Sequence, residues 1–130
     1  MKQILIDTNY YVGFKRKQEL IVERLRQAEY IGVSTVVLGE LLAGFRCGSR
    51  ERENRRELEL FLDSPRVEVL GIDEETAEFY AGVFRALREE GRPIPSNDLW
   101  LVASALRHGL ALATLDSHFS EIDGLLLAGI

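Results

Sequence analysis

Residues 4–9 read ILIDTN, a short apolar run that stops abruptly at an aspartate. An apolar run without polar alternation is typical of a parallel strand buried on both faces. The acid, hydroxyl and amide side chains that follow it then lie at the carboxyl end of that strand. Because sites in parallel α/β sheets form beyond the carboxyl ends of strands, Asp7 is the first candidate site residue.

Strands and helices are expected to alternate along the rest of the chain. Apolar runs indicate strands, and apolar side chains at intervals of three and four, bounded by caps, Gly or Pro, indicate helices. This order predicts an α/β fold with a mostly parallel sheet and helices on both of its faces. We expect strands at residues 30–33, 67–70 and 110–115, a short edge strand at 125–127, and helices starting near residue 8 and at 19–28, 35–45, 49–62, 73–91 and 96–109.

Two details of these helices follow from their residues. In the helix before Gly91, the apolar side chains recur at helical spacing and should face the core; they are Ala77, Tyr80, Ala81, Phe84 and Leu87. Short polar side chains should cap the helix starts; the candidates are Ser34 or Thr35, Asp73, and Ser96 or Asn97.

The 130-residue chain has the size of one domain, so residues 1–130 are expected to form a single unit. A composition of 46% hydrophobic and 28% charged residues is typical of a soluble globular protein. The apolar runs are too short to cross a membrane, no signal peptide is visible, and the single Cys47 excludes an intrachain disulfide. These features predict a cytoplasmic protein in which Cys47 is at least half-buried.

Two acids lie on helix faces that should point inward. Glu40 shares a stripe with Val37 and Leu41, and Asp98 shares one with Leu101. A buried carboxylate requires a cation, hydrogen-bond partners or a shifted pKa. Each acid also has a plainer interpretation, since Glu40 could lie at the margin of its stripe and Asp98 could simply favour the helix N-terminus.

Two further acids follow strands. Asp7 ends the first strand and Asp116 follows the fourth, although Asp7 could cap a helix and Asp116 could be a turn residue. Four acids that converge from distant segments repel one another and require a cation. Oxygen ligands suit Mg²⁺ or Mn²⁺, which can activate water and stabilise charge on a phosphodiester. The pattern therefore favours a nuclease, even though the net charge of −5 lacks the basic character usual for nucleic-acid binding.

Four pieces of the sequence together resemble the PIN-domain family, and within it the VapC-type toxin ribonucleases. They are residues 7–9 (DTN), Glu40, residues 97–98 (ND) and residues 114–119 (TLDSHF), in order and spread over essentially the whole chain.

The resemblance implies a five-stranded, Rossmann-like parallel sheet and endonucleolytic cleavage of RNA. It assigns Mg²⁺ or Mn²⁺ binding and catalysis to Asp7, Glu40, Asp98 and Asp116, with support from Thr8, Asn9 and Thr114. It also implies a homodimer and a cognate antitoxin that covers the acidic pocket.

Other residues and other protein classes stay open at this level. Phosphates could meet Lys15, Arg16 and Lys17, or the arginines near residues 46–56, which are interleaved with glutamates as in ordinary surface pairs. His118 could approach a substrate, but the two histidines lack the spacing of a zinc site. A haloacid-dehalogenase-like phosphatase or a receiver-like signalling module also places an aspartate after the first strand, yet both require a late lysine, and the last lysine here is Lys17. A PIN-like protein that only binds a partner is a third alternative.

Overall fold

The computed structural model describes residues 2–128, in which four parallel strands form one sheet in the order β3-β2-β1-β4. The strands are β1 (Gln3–Ile6), β2 (Tyr30–Ser34), β3 (Val67–Leu70) and β4 (Ala111–Ala113). The sheet is flanked by the helices α1 (Thr8–Lys15), α2 (Glu19–Gln27), α3 (Thr35–Cys47), α4 (Glu51–Leu62), α5 (Glu74–Glu89) and α6 (Ser96–His108), and a 3₁₀ turn follows at Ser117–Glu121. The predicted α/β fold is confirmed.

The strand β1 is the centre of the sheet. It pairs with β2 on one side and β4 on the other, and Ile4, Leu5 and Ile6 are completely buried. Helices on both faces of a parallel sheet leave no polar face, which is why this strand has no polar alternation.

The order in which the chain adds strands to the sheet reverses beside β1. The chain first builds outward through β2 and β3, and then returns to place β4 on the opposite side of β1. Such a switch point opens a crevice beyond the carboxyl ends of the two strands beside it, β1 and β4. Here the amide of Asp7 donates to the carbonyl of Ala113 at 3.2 Å, so the segments after β1 and β4 start side by side.

The predicted fifth strand is reduced to a single bridge. Leu127 pairs in parallel with Leu112, the Leu112 amide donates to Leu126, and the Ala128 amide donates to Leu112. Among residues 2–128 the sheet therefore has four strands, because the segment after Gly124 meets β4 around one residue only.

The apolar stripe predicted for α5 does not face the core. Ala77, Ala81 and Phe84 are exposed, whereas Leu87 is buried. The helix packs mainly against α6, and in this contact the ring centres of Tyr80 and Trp100 are 4.1 Å apart. Because this is its main contact, much of the apolar surface of α5 faces solvent.

The predictions for the helix caps were confirmed in part, and the prediction for the burial of Cys47 was wrong. Ser34 and Asp73 cap α3 and α5 as predicted. At α6 the cap prediction was wrong, because Pro95 occupies that position and no side chain accepts the free amides. Cys47 is exposed rather than half-buried, since it lies in the last turn of α3.

Within the described residues, no helix combines the length and apolarity needed to cross a membrane.

Candidate functional site

One cavity at the carboxyl end of the sheet, with a volume of about 160 Å³, is lined by all four candidate acids. They come from the end of β1, the middle of α3, the start of α6 and the turn after β4. We call this space the acidic cavity, and its lining consists of Asp7, Thr8, Asn9, Val36, Val37, Glu40, Asn97, Asp98, Leu101, Asp116 and Phe119.

Asp7 is the deepest of the four acids, with 8% of its surface exposed. Its Oδ1 accepts a hydrogen bond of 2.8 Å from the amide of Tyr10, so it also caps α1. Burial raises the pKa of Asp7, and the charges of Asp116 and Asp98 raise it further, although hydrogen bonds from Thr114 and Tyr10 oppose the shift. An Asp7 carboxylate is therefore costly unless a cation is nearby.

Glu40 is held at the rim of the cavity by two neighbours. The Thr8 hydroxyl donates to its Oε1 at 2.7 Å, and the Asn97 amide donates to its Oε2 at 3.4 Å. The expectation that Glu40 faces the interior was wrong, because it is exposed while Val37 and Leu41 supply the buried face of α3. The plainer interpretation, a glutamate at the margin of the stripe, describes its position better.

His118 joins the remaining two acids. Its Nδ1 lies 2.5 Å from Asp116 Oδ1, and its Nε2 lies 3.2 Å from Asp98 Oδ2. Burial raises the pKa of Asp98 and the charges of Glu40 and Asp116 act in the same direction, while His118 partly offsets the shift. The pKa of Asp116 is lowered, chiefly because the amide of His118 donates to its carboxylate.

The three supporting residues occupy different places. Thr8 contacts Glu40, and Asn9 lines the acidic cavity. Thr114 is buried and does not line the cavity; its hydroxyl instead accepts from the Asp116 amide at 3.0 Å. Thr114 therefore shapes the turn that presents Asp116.

Sequence reasoning missed the contacts made by Asn97 and His118. Both residues belong to the motifs that carry the family resemblance, but the only roles considered for them were a cap for Asn97 and an approach to the substrate for His118. The adjacency of Asn97 to Asp98 and of His118 to Asp116 was the available signal, but their contacts with Glu40 and Asp98 cross between distant segments.

The donor set suits a hard divalent cation. Carboxylate, hydroxyl and amide oxygens are the ligands that Mg²⁺ and Mn²⁺ prefer, and a cation would offset the repulsion among the acids. Over residues 2–128, however, no three His, Cys, Asp or Glu side chains are grouped closely enough to hold one ion. Asp98 and Asp116 each contact His118 through one carboxylate oxygen, Oδ2 and Oδ1 respectively.

Comparisons with known proteins agree with this architecture. The family model of the PIN domain matches residues 4–125. Ribonuclease VapC4 of Mycobacterium tuberculosis is 33% identical over 122 residues, which cover 94% of this chain and 92% of that protein. Ribonuclease VapC1 of Haemophilus influenzae is 30% identical, with 85% of this chain and 84% of that protein covered.

Solved structures give the same result. A chain of DNA-bound VapBC from Salmonella typhimurium superposes with a TM-score of 0.88 and 26% identity, covering 99% of this chain and 98% of that one. A chain of VapBC-1 from nontypeable Haemophilus influenzae gives a TM-score of 0.85 at 27% identity, covering 97% and 96%.

Proposed function

Because the chain belongs to the PIN domain family, we propose that it is a metal-dependent endoribonuclease, the toxin of a toxin–antitoxin pair. The observation that carries the proposal is the acidic cavity, where four carboxylates from distant segments share one lining. The curated relatives named above as ribonucleases support RNA as the substrate. We also propose that residues 1–130 form one nuclease domain. Because the proposed substrate is RNA, we further propose that the protein acts in the cytoplasm.

The four acids would hold Mg²⁺ or Mn²⁺, which when bound supplies an activated water and offsets negative charge developing on the phosphodiester. The rest of the site prepares the carboxylates. The Tyr10 amide fixes one oxygen of Asp7, and Thr8 with Asn97 fixes both oxygens of Glu40. Leu101 and Phe119 form an apolar part of the lining that limits access of bulk water.

The pKa shifts explain why these acids depend on a cation. Burial favours the protonated forms of Asp7 and Asp98, which cannot donate both oxygens to a metal. Binding of a divalent ion would release these protons, so metal affinity should rise with pH.

An antitoxin is the proposed protein partner. The similar solved structures are of VapBC toxin–antitoxin complexes. We also propose a homodimer that forms through the exposed surface of α5, where Phe79 and Phe84 are 40% and 46% exposed on different sides of the helix. Large exposed apolar side chains are typical of an interaction surface. A mass measurement in solution tests the dimer, and Phe84→Asp should give the monomer mass.

Cleavage assays on Asp98→Asn test the enzyme. With purified protein freed of bound partner, Mg²⁺-dependent cleavage of mixed-sequence RNA should fall at least about 100-fold, because a ligand of the ion is weakened. Chelation of the metal should abolish cleavage by the unaltered protein.

The matched control is Asp63→Asn, which removes an exposed acid after α4, outside the acidic cavity. It should cleave like the unaltered protein. Circular dichroism should show that both variants are folded. Equal cleavage by Asp98→Asn and the unaltered protein would contradict the proposal.

A further inference from the structure

A second cavity, of about 580 Å³, lies between α1, α3 and α4. Its apolar wall is formed by Val12, Leu41 and Phe45. Its charged lining has three cations, Lys15, Arg16 and Arg50, and one acid, Glu57. We call it the basic cavity. Its character is opposite to that of the acidic cavity, although both adjoin α1.

Arg16 is the cation best placed to bind an anion. Lys15 is paired with Glu57, and Arg50 is paired with Glu53. Among the described residues, Arg16 forms neither an ion pair nor a side-chain hydrogen bond, and it is exposed. An arginine with free donors at a cavity is suited to a phosphate, which it can bind with two parallel hydrogen bonds.

A continuous surface links the two cavities. A third cavity, of about 460 Å³, shares Asn9 and Asp116 with the acidic cavity, and Val12 and Arg16 with the basic cavity. An α-helix rises about 10 Å between positions such as Asn9 and Arg16. That length corresponds to about three nucleotides at roughly 3.4 Å each along a stacked strand.

The remaining lining of the basic cavity is polar or aromatic. Asn54 lines it. Tyr11 lines it as well, with 2% of its surface exposed, but its hydroxyl is buried out of reach of a ligand and has no hydrogen-bond partner in the described residues. Apolar walls with a few polar groups are typical of a ligand pocket.

We infer that the basic cavity binds a nucleotide of the RNA substrate, a few nucleotides from the cleaved bond, with Arg16 on the phosphate and Val12, Leu41 and Phe45 against the base. The inference rests on the proposed ribonuclease activity and adds where the strand runs. A strand is favoured over a protein segment because the third cavity, which shares lining residues with both, lies between the basic cavity and the acidic one.

The charge test compares Arg16→Gln with Lys17→Gln. Lys17 is the next residue, is also exposed and cationic, and lines none of the three cavities. With fluorescent mixed-sequence RNA hexamers and Mg²⁺, kcat/KM should fall about tenfold in Arg16→Gln, the effect of one lost charged hydrogen bond, and stay within about twofold in Lys17→Gln. On mixed dinucleotides, which are too short to span the surface, both variants should match the unaltered protein.

The outcomes separate the two proposals. Absence of Mg²⁺-dependent cleavage by the unaltered protein would overturn the ribonuclease activity itself. Normal hexamer cleavage by Arg16→Gln would overturn only the inference and leave a peptide segment as the occupant. An equal loss on hexamers and dinucleotides would also overturn it, because the effect would then be on the acidic cavity.

Discussion

The acidic and basic cavities adjoin the same helix, α1, yet they are built in different ways. The acidic cavity collects side chains from the ends of β1 and β4 and from three helices, whereas the basic cavity lies between helices α1, α3 and α4. Two carboxylates of the first, Asp7 and Asp98, are partly withdrawn from water, and burial raises the pKa of each. The cations of the second are exposed. In our proposals, the acids that would bind a cation come from strand ends and helices around the crevice, whereas the cations that would bind phosphate lie on exposed helix surfaces.

Of the variants that test this comparison, Thr8→Val should have the largest effect, on RNA cleavage and on the Mg²⁺ requirement of the acidic cavity. It removes the hydroxyl that donates to Glu40 at 2.7 Å without changing a carboxylate. Partners of metal ligands are typically worth 10- to 100-fold in activity or metal affinity, so cleavage should fall about tenfold and more Mg²⁺ should be needed. Metal titrations of RNA cleavage measure both effects.

Thr35→Val is the matched control for that substitution. Thr35 is exposed at the start of α3 and does not line the acidic cavity. An unchanged metal requirement in both variants would mean that Glu40 needs no orientation by Thr8.

A smaller effect is expected on the salt dependence of RNA binding at the basic cavity. Each phosphate contact on a single strand contributes a slope of about −0.7 in log affinity against log salt, so Arg16→Gln should weaken the slope by about that amount. Between 50 and 200 mM salt, the variant should lose roughly threefold less affinity for hexamers than the unaltered protein. Fluorescence anisotropy in Ca²⁺ buffer measures this, and parallel slopes would argue against a phosphate at Arg16.

The smallest effect should be on stability without metal. The pKa of Asp7 is raised in the folded state, so the fold binds more protons than the unfolded chain and loses stability as pH rises from about 4 through the folded pKa. Asp7→Asn keeps an oxygen for the Tyr10 amide and removes the charge. Its Tm in chelator should therefore exceed that of the unaltered protein at pH 7, and the difference should shrink towards pH 4.

Asp116→Asn should behave in the opposite way. The pKa of Asp116 is lowered in the fold, so its stabilisation is present above about 3.8 and is lost as pH falls through the folded pKa. Its Tm at pH 7 should fall below that of the unaltered protein. Thermal unfolding followed by circular dichroism compares the two variants, and equal shifts would contradict the different environments described here.

Much of the fold was predictable because local patterns specify it. β3 has its predicted bounds, and the helix before Gly109 ends there with φ +65°, a conformation that suits glycine. The outer face of α5 was not predictable. Helical spacing shows which side chains share a stripe, but not whether another part of the molecule covers it.

The candidate site, like the fold, was predictable only in part. That Asp7 ends a buried strand could be read from residues 4–9, because burial and strand length leave a local signature. Only the tertiary structure shows that Glu40 lies at the rim beside Thr8 and Asn97, and that His118 links Asp98 to Asp116. These contacts join residues up to 57 positions apart. Their existence depends on the order of the strands in the sheet, which no local pattern encodes.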